Sequence, residues 1–168
     1  MKVVVDTNVP IVANRRAEHA SLQCVLTCIR RLENVMDKGR IVLDNSWLIL
    51  TEYKNHLSSS GQPGVGDAFL KWALTNRANL ERCELIEITP KESDSSDFEE
   101  FPADDELHDF DLDDRKFVAV ALAHPERPPV LQAVDTEWWA KRGVLERAGV
   151  QIDFLCVADM RRLVRDRT

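Results

Sequence analysis

Apolar positions along this chain alternate between two forms. Some are short unbroken runs, and others are longer stretches in which apolar residues recur every three or four positions. Val3-Val4-Val5 is the first short run, followed by Arg40-Ile41-Val42-Leu43, Glu84 to Ile88, Val130 to Val134 and Val150 to Leu155. Runs of this length, rich in β-branched residues and bounded by turn formers, are predicted to be strands. Between them, Leu22, Val25, Leu26, Ile29, Leu32 and Met36 keep helical spacing from Ala20 to Lys38, and Gly39 stops the pattern. Further helices are predicted over Trp47–Leu57, from an Asp67 cap through Leu80, after Asp109–Asp114, over Thr136–Ala148 and over Val157–Arg167. The order β-α-β-α-α-β-α-β-α-β-α is that of one α/β domain with a central, mostly parallel five-stranded sheet flanked by helices.

The polar breaks carry as much information as the runs. Asp6-Thr7-Asn8 follows the first strand directly, and such residues favour turns because their side chains bond nearby backbone. Pro10 suits the first turn of a following helix. Asp6 is therefore expected at the carboxyl end of a central strand, where open α/β sheets place their ligands. Asp44-Asn45-Ser46 reads as a helix cap and Ser58–Gly66 as a flexible loop. Thr89–His108 has no hydrophobic period and many acids, and is expected to be a mobile surface excursion near the pocket mouth, with Phe98, Phe101 and Pro102 as its anchors.

Length and charge narrow the classes. The 168 residues suffice for one real core, and no apolar run approaches the ~18 expected of a membrane span. The first residues form a strand without a basic leader, so a cytoplasmic protein away from membranes is expected. In that setting Cys24, Cys28, Cys83 and Cys156 are expected to be buried thiols, and His19, Cys24 and Cys28 lack the spacing of a zinc finger. A net charge of −7 argues against holding nucleic acid by a bulk positive field, but not against an enzyme that handles phosphates through bound cations.

Four carboxylates converge on one end of this predicted fold. Asp6 and Asp135 follow apolar strands, Glu52 lies one helical turn from Leu48, and Asp114 shares the face of Phe117 and Val118. Each alone has a plain explanation as a turn residue, a cap or a solvated helix position. Together they are costly: two carboxylates ~4 Å apart repel by roughly 4 kcal/mol at an effective dielectric near 20. They must protonate, separate or bind cations, and all-oxygen ligands point to Mg²⁺ or Mn²⁺. Such ions clamp the attacking and leaving oxygens of phosphodiester hydrolysis.

At this level the chain resembles the PIN-domain nucleases. The resemblance lies in Val3-Val4-Val5-Asp6-Thr7-Asn8-Val9, in Ser46 with Leu50-Thr51-Glu52-Tyr53, in Asp113-Asp114-Arg115-Lys116-Phe117-Val118, and in Ala133-Val134-Asp135-Thr136-Glu137-Trp138. These motifs run in order over almost the whole chain. The resemblance implies an endoribonuclease acting on single-stranded RNA, with Asp6, Glu52, Asp114 and Asp135 as catalytic ligands of Mg²⁺ or Mn²⁺. It implies Thr7 or Asn8, and Ser46, as supporting residues. Many relatives are toxins of toxin–antitoxin pairs and others act in defence or RNA processing, so an antitoxin or other regulatory protein, and a homodimer, are compatible partners. Two departures stand out. The Asp113-Asp114 pair leaves the third ligand ambiguous by one residue, with Asp114 preferred for its face, and Glu137 offers an extra metal or water ligand.

Rival chemistries fit less well. An aspartyl-phosphate phosphatase needs a second Asp two residues after the first, where this chain has Asn8, and a phospho-receiver needs an Asp after the third strand, where it has Thr89-Pro90. An inactive PIN-fold module acting through protein partners is the alternative from a different class. For the substrate, Arg15, Arg16, Arg30, Arg31, Lys54, Arg115 and Lys116 are candidates for a phosphate path, and Trp138-Trp139 for base stacking.

Overall fold

The computed structural model describes residues 1–166, and the predicted end of the last helix at Arg167 lies outside them. Five parallel strands form one sheet in the order β3-β2-β1-β4-β5: β1 (Lys2–Val5), β2 (Arg40–Asp44), β3 (Cys83–Ile86), β4 (Val130–Gln132) and β5 (Ile152–Phe154). Seven helices flank it among the described residues: α1 (Asn8–Ala13), α2 (Leu22–Lys38), α3 (Leu48–His56), α4 (Val65–Asn76), α5 (Arg115–Ala123), α6 (Thr136–Arg147) and α7 (Val157–Asp166). The α/β class and the central sheet are as the sequence predicts, and the sheet is parallel throughout. Val3, Val4 and Val5 are buried, as a central strand covered on both faces requires.

A helix does begin around Pro10, as expected, but Asn8–Ala13 forms α1 by itself and α2 starts only at Leu22, so two helices stand between the first two strands where the pattern predicts one. Pro10 sits inside its first turn, where a missing N–H costs nothing. Ser21 caps α2 by accepting from the Cys24 N–H (3.1 Å). The buried stripe of α2 runs through Cys24, Val25, Cys28, Leu32 and Val35, and Leu22, assigned inward from the sequence, is solvent-exposed. Asp67 organises the start of α4 from its first turn, accepting from the N–H groups of Gly64 (2.9 Å) and Ser58 (2.7 Å) and from the Asn14 amide.

The acidic excursion is pinned, in contrast to the mobile loop expected. Phe98, Phe101, Leu107 and Phe110 are buried, and Pro90 pairs with Phe98 in an antiparallel bridge. Arg115, itself buried, donates to the carbonyls of Leu107, His108 and Phe110 and pairs with Asp97 (3.2 Å). Phe98 and Phe101 are buried, as their expected role as anchors requires, and Pro102 is half-buried, whereas the Arg115 clamp on backbone carbonyls has no periodic signal in the sequence.

The expectation that all four cysteines are thiols is also corrected. Cys24 and Cys156 form a disulfide, while Cys28 and Cys83 remain buried thiols. Cys28 Sγ lies 4.0 Å from Cys156 Sγ, so the third member of this group is Cys156, from just before α7, and not His19. The two partners are 132 residues apart in sequence, a separation that only the packing of α2 against the β5–α7 junction could close. No helix among the described residues is long and apolar enough to cross a membrane.

Candidate metal centre

Strand order reverses between β1 and β4, since β1 leads outward to β2 and β4 leads the other way to β5. Connections that diverge in this way leave a crevice at the carboxyl ends of the two strands. Asp6 ends β1 there and Asp135 follows β4 across the crevice. Asn8 closes its floor: its Oδ1 accepts from the Ala133 N–H (2.8 Å) and its Nδ2 donates to Gln132 Oε1.

Asp6 is almost wholly buried, with 4% of its surface exposed. Its Oδ1 accepts from the Asn8 N–H (3.0 Å), but its Oδ2 has no hydrogen-bond partner. The Gln132 amide faces it and favours its ionised form, yet Gln132 Nε2 also lacks a partner of good geometry. Burial pushes the Asp6 carboxyl up to about 7, against the Asn8 hydrogen bond and with the charges of Asp135 and Glu52 adding to the shift. An orphaned carboxylate oxygen in a low-dielectric pocket is costly unless it is protonated or meets a cation.

Glu52 reaches the crevice from α3. Its Oε2 accepts from the Thr7 hydroxyl and its Oε1 from Lys116 Nζ (2.7 Å). Tyr53, the next residue, donates its buried hydroxyl to the Val5 carbonyl, which locks α3 onto the end of β1. Asp114 stands at the junction of a 3₁₀ turn (Leu112–Asp114) and α5. Burial raises its carboxyl to about 9, with the charges of Asp6, Asp135, Asp111 and Glu52 contributing in turn. Asp135 caps α6, accepting from the N–H groups of Glu137 (2.9 Å) and Trp138 (3.4 Å). The charges of Glu52 and Asp135 thus reach Asp6, and those of Asp6, Asp135 and Glu52 reach Asp114, but the four do not form a group whose oxygens all lie within 4.8 Å of one another among the described residues.

A second, outer group adjoins it. Carboxylate oxygens of Asp111, Asp114 and Glu137 lie within 4.8 Å of one another, and burial together with Asp135, Asp111 and Asp109 raises the Glu137 carboxyl. Asp114 adjoins both groups, whereas the exposed Asp113 donates its N–H to Asp111 Oδ1 (2.9 Å) and accepts from Lys116 at its carbonyl. Asp111 was not among the predicted site residues, although its i,i+3 spacing from Asp114 is a signal that could have found it.

Compared with known proteins, the chain matches no family model, no curated protein and no solved structure. The chemistry of the centre rests on its own residues.

Several predicted contributors lie elsewhere. Ser46 is exposed and its N–H donates to Asp44 Oδ2 (3.0 Å), so it belongs to a turn that Asp44 organises by also accepting from Leu48 and Ile49 (2.9 Å each). Thr7 supports Glu52, while Asn8 supports Asp6. Arg115 is spent on carbonyls and Asp97, Arg31 pairs with Asp153 (3.1 Å), and Trp138 is fully buried against Phe110, so none of the three is available to a phosphate or a base. Arg15, Arg16, Arg30 and Lys54 are exposed. Lys116 is the one predicted cation that touches the centre, and it neutralises part of Glu52.

Proposed function

We propose that this chain is a metal-dependent endoribonuclease of the PIN type, hydrolysing phosphodiester bonds of single-stranded RNA with Mg²⁺ or Mn²⁺. The observation that carries the reading is the buried, partnerless Oδ2 of Asp6 inside a field of three further carboxylates. The donor set is entirely oxygen, which suits a hard divalent cation and does not suit a soft one. Asp6, Glu52, Asp114 and Asp135 would hold it, with Asp111 and Glu137 placed to orient the outer side. A cation bound there would supply Lewis-acid charge to a phosphodiester oxygen and to the developing leaving group.

The surrounding residues prepare the centre. Asn8 fixes the rotation of Asp6 through its N–H, and Thr7 with Lys116 fixes both oxygens of Glu52. Raised carboxyl groups at Asp6 and Asp114 keep the metal-free pocket partly protonated, so cation binding releases protons and strengthens as pH rises. The same protonation answers the repulsion that four ionised acids would otherwise store.

The test is cleavage of a labelled single-stranded RNA by purified protein, with Mn²⁺ or with excess EDTA. Asp6→Asn keeps the shape of the side chain and removes its charge, so activity should fall by orders of magnitude while the circular dichroism spectrum is unchanged. Full activity in EDTA overturns the reading. Folded wild-type protein that binds Mn²⁺ and leaves RNA intact would favour an inactive interaction module instead.

A further inference from the structure

Trp47 is out of place as a structural residue. It precedes α3 with φ of +67°, a left-handed conformation that is a genuine outlier for a bulky side chain. It remains 44% exposed although indole is among the most favourable side chains to bury. The Arg77 guanidinium lies 4.0 Å from the ring centroid and is tied to the same turn by its hydrogen bond to the Asn45 carbonyl (3.1 Å). The indole is thus held flat against a fixed cation, which orients it without burying it.

Its position is equally specific. Trp47 follows the carboxyl end of β2, the strand beside β1, and begins the helix that carries Glu52. The next residue, Leu48, lines a pocket of about 250 Å³ with Leu112, Ser96 and Lys116. Lys116 donates from that pocket to Glu52, so the pocket adjoins the acidic centre. Leu112, 41% exposed, stands on the same wall as the first residue of the turn bearing Asp114. The pocket has an apolar wall of Leu48, Phe98 and Leu112, the hydroxyls of Ser95 and Ser96, and Lys116 set against the acid Asp113, while Trp47 stands outside its lining with Arg77 as a second cation behind the indole.

We propose that Trp47 is a stacking platform for one unpaired base of a single-stranded nucleic acid, seated beside the pocket so that the neighbouring phosphodiester falls at the acidic centre. The inference rests on the nuclease reading and assigns its substrate subsite. Base–aromatic stacking tolerates sequence, because every base has a π-face, and a guanidinium behind the ring adds attraction for the adjacent phosphate. It also accounts for how a chain of net charge −7 engages a polyanion: the contact is made through one ring and two placed cations rather than through a basic surface.

The experiment uses short single-stranded RNAs in which each position in turn is made abasic, cleaved by the wild-type protein with Mn²⁺. One abasic position should raise KM by about 5- to 150-fold, the range expected for losing one stacked base. In Trp47→Ala that penalty should vanish while KM for the intact RNA rises by a similar factor, and Trp47→Phe should restore most of the discrimination. A purely structural Trp47 would leave the abasic profile unchanged in shape. If Trp47→Ala fails to fold, quenching of indole fluorescence by intact RNA, present in wild type and reduced in Trp47→Phe, gives the same answer. An abasic penalty that persists in folded Trp47→Ala, or no position-dependent penalty in an active wild type, overturns the platform. Absence of any cleavage by the wild type is a different result, since it removes the nuclease reading itself and the platform with it.

Discussion

The Thr7 hydroxyl donates its hydrogen bond to Glu52, so the residue beside Asp6 holds the carboxylate that arrives from α3. The contact spans 45 positions of sequence and joins the end of β1 to a helix surface. Thr7→Val keeps the branched shape and removes the donor. Outer partners of metal ligands typically contribute about 10- to 100-fold to affinity, and a Mn²⁺ affinity lowered by about tenfold is expected here. Isothermal titration of folded Thr7→Val checks it, and an unaltered affinity would show that Lys116 alone positions Glu52.

Asp114 and Asp113 should respond oppositely to the same chemical change. Asp114→Asn removes a carboxyl that must take up a proton on folding at neutral pH, and in EDTA at pH 7 it should stabilise the protein by about 1–2 kcal/mol, a modest part of that linked cost. Mn²⁺ stabilises the native protein by binding the folded state, and this gain should be much smaller in Asp114→Asn. Asp113→Asn, at an exposed position, should leave both quantities nearly unchanged. Urea denaturation with and without Mn²⁺ reads all four values, and identical behaviour of the two variants would remove Asp114 from the centre.

Metal-free protein should lose stability as pH rises through neutrality. Unfolded aspartate titrates near 3.8, whereas the native carboxyls of Asp6 and Asp114 sit at about 7 and about 9. Between those values the native state binds more protons than the unfolded state, so unfolding becomes easier with increasing pH. The contribution is fully present below about 4 and is lost through about 7 and then about 9. Asp67, Glu84 and Asp97 act in the opposite sense, because hydrogen bonds and cations hold their carboxyls below the ordinary range and their stabilisation is lost only in acid. Stability in EDTA should therefore peak near pH 5 and decline toward pH 9. A stability that climbs steadily from pH 5 to 9 would contradict the buried acidic pocket.

Asp97→Ala should destabilise the protein although it lies in the acidic excursion. It removes the carboxylate facing buried Arg115, and breaking a buried pair typically costs about 3–5 kcal/mol. Arg115 keeps its three carbonyl acceptors, so a loss of about 2–3 kcal/mol is expected in urea titrations. A change within about 0.5 kcal/mol would instead mark the excursion as a loosely attached loop.

Legibility in the sequence followed the range of the interactions involved. Val3-Val4-Val5 before Asp6, and Val130 to Val134 before Asp135, announce strand ends because burial on both faces demands unbroken apolar runs and turns demand polar ones. Glu52 and Asp114 were legible as inward acids because helical spacing puts them beside Leu48 and Phe117. Those local rules determined the α/β class and the sheet, and they marked the four acids as candidates.

Contacts without a period were decided only in three dimensions. The Cys24–Cys156 bond, the Thr7–Glu52 contact, the Asn8 clamp on Gln132 and Ala133, and the burial of Arg115 under the excursion all join residues whose separation in sequence carries no signal of their approach. Strand order also belongs here, because Asp6 and Asp135 face one another only when β4 pairs with β1 and not with β3. The sequence alone determined where each acid sits on its own element, since side-chain direction is fixed by the local backbone. The tertiary structure alone decided which acids share a field, because carboxyl groups feel burial and one another through space rather than along the chain.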